Sequence, residues 1–241
     1  MKDKEKADMK CTAIVLAAGQ GKRMKSKVQK QFLELKGKPV LYYSLACFEK
    51  SEEIQEILVV TGEESIEFVK KEIIEIYGFQ KVKAVVAGGK ERYDSVYNGL
   101  LACEDCDYVF IHDGVRPFVT EEMIRRGKEA VLQYGACAVG MPSKDTIKMV
   151  DDQGLVVCTP DRNRVWNIQT PQIFGYKEIR DAHEKARTGD LSKVTDDAMV
   201  MEMYGNRKIK LVEGAYENIK LTTPEDILLA EKLLEKTVEK K

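Results

Sequence analysis

The sequence of 241 residues lacks the features that direct a protein out of the cell or into a membrane. Residues 1–10 are polar and charged and contain no apolar segment of the secretory type. No apolar run is long enough to cross a bilayer. Lys and Arg number 39 against 40 Asp and Glu, so no general positive field would attract nucleic acid or an anionic membrane. We therefore expect a cytoplasmic protein with neither of these partners, beginning with a charged tail at 1–10.

Histidine and cysteine, the residues of many metal and redox sites, are scarce or scattered. The six cysteines include one close pair, Cys103 and Cys106, and a zinc site of paired cysteines would need a second pair. We expect reduced, mostly buried thiols. Of the two histidines, His112 follows a predicted strand and is assigned a structural role, whereas His183 lies in a polar helix and is expected at the surface.

Short apolar segments alternate with helical patterns along most of the chain. This alternation predicts a mostly parallel Rossmann-like α/β sheet with helices on both faces. One helix is indicated by Ile66, Val69, Ile73 and Ile76, with Gly78 at its end. Ligands bind such sheets outside the carboxyl ends of the strands. The predicted strands, in chain order, are 12–16, 57–61, 82–87, 108–111 and 136–141.

The alternation stops after the fifth strand. Residues 145–150 and 155–158 flank an Asp-Asp-Gln-Gly turn at 151–154, which predicts a β-hairpin. We interpret residues 143–170 as a protruding β-hairpin arm, with Trp166 packing it against the body.

A glycine-rich loop follows the first strand. Glycines let backbone N–H groups approach a polyphosphate, and Arg23 and Lys30 would add positive charge. The loop does not match a P-loop, because Arg23 stands where Ser or Thr is required, nor a dinucleotide fingerprint, because Met24 replaces the third glycine. Phosphate binding is the favoured interpretation, and a plain strand-to-helix turn is the alternative. The loop residues concerned are Ala17, Ala18, Gly19 and Gly21.

Ordered blocks across nearly the whole chain resemble the 2-C-methyl-D-erythritol 4-phosphate cytidylyltransferases. The first is AIVLAAGQGKRM at 13–24 with KQFLELKGKPVL at 30–41. The family usually has proline directly before the Lys30 position, where this chain has Gln29. The other blocks are AGG with ERYDSV at 87–96, HDGVRP at 112–117, DTIK at 145–148, DRN at 161–163, QTPQ at 169–172, and TDD at 195–197 followed by NIK at 218–220.

This resemblance implies a single nucleotidyltransferase domain at 11–241, a reaction and a set of residues. CTP and methylerythritol 4-phosphate would give the cytidine diphosphate derivative and pyrophosphate, with Mg²⁺ as cofactor, in a homodimer whose arms reach across to the partner's site. Catalysis would rest on Arg23, Lys30 and Lys220. The nucleotide would be bound by Ala17, Ala18, Gly19, Gly21, Gly89 and Ser95. The acceptor would be bound by Asp113, Arg116, Thr146, Arg162, Thr170 and Thr195, with Asp113 also a candidate Mg²⁺ ligand.

Three alternatives remain open at this point. A ribitol 5-phosphate cytidylyltransferase would share the glycine loop and the QTPQ block. A non-catalytic nucleotide-binding module would bind CTP without releasing pyrophosphate. An NAD-dependent oxidoreductase would use a similar sheet but respond to dinucleotides.

Overall fold

The structure is a computed structural model that describes residues 9–19, 21, 24 and 28–238. Seven strands form one central sheet: β1 (Cys11–Ala17), β4 (Glu56–Thr61), β5 (Val82–Ala87), β6 (Tyr108–Asp113), β7 (Ala136–Pro142), β10 (Trp166–Gly175) and β11 (Lys210–Glu213). Two short pairs lie outside it: β2 (Glu34–Leu35) with β3 (Lys38–Pro39), and β8 (Met149–Val150) with β9 (Val156–Cys158).

Helices connect the strands and cover both faces of the sheet. They are α1 (Val40–Lys50), α2 (Ile66–Phe68), α3 (Arg92–Leu101), α4 (Glu121–Tyr134), α5 (Tyr176–Ala186), α6 (Asp197–Tyr204) and α7 (Pro224–Val238). One apolar layer contains Phe48 and Phe110, and a second contains Leu100 and Phe174. Adjacent strand residues contribute to opposite layers because side chains alternate across a strand. None of the helices in the described part of the chain is long and apolar enough to span a bilayer.

The strand order is β11-β7-β10-β6-β1-β4-β5. All neighbouring pairs are parallel except those of β10, which runs antiparallel to β6 and β7. The predicted mostly parallel sheet is therefore confirmed. The sequence did not indicate that the return from the arm would become a central strand. Pro171 cannot donate a ladder hydrogen bond, and the β10–β7 register shifts between Ile168 and Gln172 around it.

The helix expected to show one regular apolar stripe is irregular. After α2 it continues as a π-helical stretch, Val69–Glu75. Val69 and Ile73 are fully buried, but Ile76 is 63% exposed. The wider π turn changes the angular spacing of side chains, so the 3.6-residue extrapolation to Ile76 was wrong.

An exposed arm is present as predicted, although its paired segments are short. Its predicted extent of 143–170 was wrong at the carboxyl end, because residues 166–170 belong to the central strand β10. Residues 144–164 are exposed apart from Pro160. At its base the Ser143 N–H donates to the Val165 carbonyl over 2.8 Å, which brings the two ends of the arm together. The exposed side chains include Leu155 at 62% and Val157 at 66%.

Candidate active site

A cavity of about 600 Å³ opens at the carboxyl ends of β1, β5 and β6. The chain leaves β1 for β4 on one side, while β6 pairs with the other side of β1, so the cavity lies where the strand order reverses. Nine of the predicted site residues line it: Ala17, Ala18, Gly19, Gly21, Lys30, Gly89, Ser95, Asp113 and Lys220.

The first glycine loop packs against the stem of Lys30. Gly21 has a φ of +62°, a conformation that favours glycine, and a Cβ there would lie 3.2 Å from Cγ of Lys30. A Cβ on Gly19 would lie 3.7 Å from Cε of Lys30. The loop thus determines the path of the lysine side chain toward the cavity. The predicted catalytic residue Arg23 lies outside the described residues.

The second glycine loop, at Gly88 and Gly89, packs closely against the first loop. A Cβ on Gly88 would lie only 2.5 Å from Cβ of Ala18. The Ser95 hydroxyl accepts from the Gly89 N–H at 3.0 Å and donates to the Glu91 carbonyl at 3.2 Å. Ser95 therefore fixes the loop, and its hydroxyl is already occupied by backbone groups.

Lys30 begins a short 3₁₀ turn, Lys30–Phe32, that two glutamines hold in place. The Gln31 amide donates to the Ala17 carbonyl at 2.5 Å and to the Gln29 side-chain oxygen at 2.6 Å. Gln29 in turn donates to Glu64 at 3.0 Å. Gln29 has a φ of −62°, the value that proline would impose. The backbone at this position is thus proline-like, and side-chain hydrogen bonds replace the ring.

Asp113 lies between two cations. Its Oδ1 is 3.2 Å from Nε of Arg92 and its Oδ2 is 2.8 Å from Nζ of Lys220. Burial alone would raise the pKa of Asp113, but the charges of Arg92 and Lys220 outweigh burial and hold that pKa well below its usual range. Asp113 is therefore a carboxylate at neutral pH.

Behind Asp113 a buried hydrogen-bond chain fixes its backbone. The Arg116 carbonyl lies 3.2 Å from Nε2 of His112 and can only accept, so the imidazole proton is on Nε2. Nδ1 then accepts from the Thr170 hydroxyl at 3.0 Å, and that hydroxyl accepts from the Asp113 N–H at 3.1 Å. Burial lowers the pKa of His112 to about 4, so the ring is neutral, in keeping with its predicted structural role.

Two residues that were predicted to bind the acceptor substrate have other contacts than expected. Thr170 is 3% exposed, and its hydroxyl is engaged by His112 and Asp113 rather than presented to the cavity. Arg116 donates from Nη1 to the Asn218 carbonyl at 2.8 Å, while its buried Nε has no hydrogen-bond partner among the described residues. Burial lowers the pKa of Arg116 from its ordinary value.

The remaining predicted acceptor residues do not line the cavity. Thr146 and Arg162 are exposed on the arm. Arg162 begins a short turn in which the Asp161 side chain accepts from the Asn163 N–H at 3.0 Å. Thr195 is exposed just before α6. Their roles in acceptor binding stay predictions.

The expectation that His183 lies at the surface was wrong. His183 is 2% exposed, and its Nε2 is 3.4 Å from a carboxylate oxygen of Asp197, which is itself fully buried. Polar neighbours in the sequence of α5 concealed this, because one face of the helix packs against α6. Sequence reasoning also gave no role to Arg92 and Gln31, which both line the cavity. Their proximity in the sequence to Gly89 and Lys30 could have indicated that they lie at the cavity.

Asp113 is a poor candidate for a resident Mg²⁺ ligand in this arrangement. Both of its oxygens already face cations, Arg92 and Lys220. Within the described ranges no group of three or more His, Cys, Asp or Glu side chains could hold a metal ion. Mg²⁺ usually binds one or two carboxylates together with substrate phosphates. These residues alone do not make a resident metal site.

The fold and the cavity together define an α/β protein with a site suited to a phosphorylated ligand. Such a ligand would meet two glycine loops and fixed cations where the strand order reverses. Comparison with known proteins makes this assignment specific. The family model described as 2-C-methyl-D-erythritol 4-phosphate cytidylyltransferase matches residues 11–236. This chain therefore belongs to the 2-C-methyl-D-erythritol 4-phosphate cytidylyltransferase family.

Individual relatives match over nearly their full length. The protein of that name from Lachnoclostridium phytofermentans is 52% identical over 225 residues, covering 93% of this chain and 96% of the relative. The crystal structure of 4-diphosphocytidyl-2C-methyl-D-erythritol synthase from Anaerococcus prevotii has a TM-score of 0.86 at 37% identity, covering 96% and 99% of the two chains. The Thermus thermophilus structure of this family has a TM-score of 0.72 at 28% identity, covering 93% and 98%.

Proposed function

We propose that this chain transfers the cytidylyl group of CTP to 2-C-methyl-D-erythritol 4-phosphate and releases pyrophosphate, a step in the non-mevalonate route to isoprenoid precursors. Family membership supports the reaction. The structural observation that supports it best is the convergence of Lys30, Lys220 and two glycine loops on one cavity beside Asp113. A polyanion needs such an arrangement of positive charge and accessible backbone amides.

The chemistry needs no covalent intermediate with the protein. A phosphate oxygen of the acceptor attacks the α-phosphorus of CTP, a new P–O bond forms, and the bond to the leaving pyrophosphate breaks. The attacking oxygen is already anionic, so no general base is required. Ser95 is engaged by backbone groups and His112 is buried, so neither is offered as a nucleophile or base. Catalysis is then positioning and charge neutralisation.

The nucleotide would lie between the two glycine loops. Backbone groups of Ala17, Ala18, Gly19 and Gly21 would face the phosphates and ribose, and the Gly89 region with Ser95 would face the base. Lys30, Lys220 and Arg23 would stabilise the charge that develops on the transferring phosphoryl group and on pyrophosphate.

The acceptor would bind on the Asp113 side of the cavity. We assign it to Asp113, Arg116 and Thr195, with Thr146 and Arg162 of the partner subunit completing the site. Thr170 would act indirectly, because its hydroxyl accepts from the Asp113 N–H and so holds the backbone of Asp113. This assignment requires a homodimer formed through the arm. Exposed apolar residues on the arm support it, because Met149, Leu155 and Val156 are each more than half exposed in the single chain.

We assign Mg²⁺ to the nucleotide rather than to a resident protein site. The ion would enter with the triphosphate of CTP, where phosphate oxygens supply most of its ligands. This assignment agrees with the engagement of Asp113 by two cations.

The test is a pyrophosphate-release assay with purified protein across nucleotides, with methylerythritol 4-phosphate and ribitol 5-phosphate as acceptors. We expect turnover with CTP and the methylerythritol substrate. Faster turnover with ribitol 5-phosphate would overturn the acceptor assignment. CTP binding without pyrophosphate release from either acceptor would favour a binding module instead.

The catalytic lysines are tested by Lys30→Met and Lys220→Met. Loss of one donor to a developing charge costs about 3 kcal/mol, so we expect kcat to fall about 100-fold or more. Lys70→Met is the matched control, because Lys70 is exposed and pairs with Glu67 away from the cavity. An equal loss in all three variants would contradict the assigned roles.

A further inference from the structure

A line of alternating charges runs from the interior to the cavity. Arg92, the first residue of α3, contacts two carboxylates at once. Its Nε is 3.2 Å from Oδ1 of Asp113, and its Nη1 is 2.8 Å from Oδ2 of Asp197. Lys220 contacts the other oxygen of Asp113 at 2.8 Å. The guanidinium thus connects a carboxylate on the cavity wall with one that does not line it.

Asp197 has no access to a ligand in the cavity. It is fully buried in the first turn of α6, and its second oxygen lies 3.4 Å from Nε2 of the buried His183. Burying a carboxylate is costly unless it is paired. A fully buried charge behind the site needs a structural reason, and its contact with Arg92 supplies one.

The planar guanidinium transmits position as well as charge. Its Nη2 is buried and has no hydrogen-bond partner among the described residues, so the two carboxylates are what anchor the group. Because the fork is rigid, holding one edge of the guanidinium at Asp197 determines where the Nε–H meets Asp113. Without Asp197, Arg92 would keep a single carboxylate anchor, and the Asp113 carboxylate could turn toward Lys220 alone.

We propose that Asp197 is a positioning residue for the transferase reaction: through Arg92 it fixes the orientation of the Asp113 carboxylate on the acceptor side of the cavity. This inference rests on the proposed function, in which Asp113 contacts the acceptor. Asp197 does not touch substrate, so its effect is indirect. We do not expect Asp197 to affect the binding of CTP between the glycine loops.

The test begins with Asp197→Asn, which keeps the shape of the side chain and removes its charge. The matched control is Asp196→Asn, the same change one residue earlier. Asp196 caps α6 by accepting from the Met199 N–H at 2.9 Å, and it accepts from Gln172 at 2.8 Å, whereas Arg92 pairs with Asp197. Asparagine is also a good cap, so the control retains the helix start.

We expect kcat/KM for the acceptor to fall about 100-fold in Asp197→Asn, because a misplacement near 1 Å can have an effect of this size. The Kd for Mg·CTP, measured by calorimetry, should change less than about threefold, since the glycine loops are untouched. Asp196→Asn should retain acceptor kinetics near those of the unaltered chain. Equal loss of CTP affinity and acceptor kinetics, or no loss of either, would overturn the inference.

A double-mutant cycle separates positioning from a general loss of structure. If Asp197 acts through Arg92, then Asp197→Asn in an Arg92→Met background should cause little further loss of kcat/KM. Additive losses would contradict the proposal even if the single variants are less stable. Absence of pyrophosphate release from the unaltered chain would instead refute the proposed function, so the two failures are distinguishable.

Discussion

The close approach of the two glycine loops leads to a quantitative prediction for Gly88→Ala. The added Cβ would lie 2.5 Å from Cβ of Ala18 and 2.9 Å from Oγ of Ser95. Carbon atoms pack at about 3.5–4.0 Å, so the methyl group would be about 1 Å too close and the loops would have to separate. The Gly88 N–H donates to the Thr61 carbonyl at 2.7 Å, which resists movement of this loop away from β4.

Overpacking of this kind typically destabilises a protein by about 1–3 kcal/mol. We expect Gly88→Ala to lower the free energy of unfolding by this amount, so that the protein unfolds at a lower denaturant concentration. CTP affinity should fall by more than stability alone explains, because both loops contribute backbone groups to the same nucleotide. The measurements are a denaturant titration and calorimetry with Mg·CTP.

Two further variants make this reasoning specific. Adding Ala18→Gly to Gly88→Ala removes the carbon that the new methyl meets, so part of the lost stability and affinity should return. Gly175→Ala is the matched control, because its Cβ would meet Glu178 at an ordinary 3.5 Å. If Gly88→Ala binds CTP normally, or Ala18→Gly rescues nothing, the steric account is wrong.

Three other expectations follow from the site and the arm. Gln29→Pro should remain active, with stability changed by no more than about 1 kcal/mol, because Gln29 already has a φ of −62°. Loss of turnover in steady-state kinetics would show that the side-chain contacts of Gln29 with Gln31 and Glu64 matter more than its φ. The folded pKa of His112, about 4, lies below its ordinary 6.5, so the unfolded chain binds more protons between these values. Stability should be complete above pH 6.5 and decrease by up to about 3 kcal/mol toward pH 4, with a shallower slope in His112→Gln by denaturant titration; an unchanged slope would refute this. Equal mixing of inactive Lys30→Met and Arg162→Ala chains should restore about a quarter of the activity of the unaltered chain, because half of the dimers are mixed and each mixed dimer has one intact site out of two. No recovery of activity after subunit exchange would argue against a shared site.

The sequence contained enough information for the sheet and for the cavity edge. Strands β1, β4, β5 and β6 were visible as mostly apolar runs that stop at glycines or charges. The central position of β10 was not visible, because Pro171 is unfavourable inside a sheet and only the register shift accommodates it.

Burial of charged groups was the hardest feature to predict. Nothing in a single sequence indicates that Asp197 and His183 face each other, since α5 is rich in charged residues and Asp197 stands at the first position of the mostly apolar α6. Arg92 was visible only as part of a motif, and its two carboxylate partners are far apart in the sequence. Pairing between distant ionisable residues is a tertiary property, so pattern and propensity do not reveal it.

The closed base of the arm has a practical meaning for protein engineering. Because the Ser143 N–H and the Val165 carbonyl already form a hydrogen bond, the strands on either side arrive as neighbours. We expect that residues 144–164 can be replaced by a tight two-residue connection without disrupting the sheet. The same junction is the place at which the hairpin of a relative could be grafted onto this body.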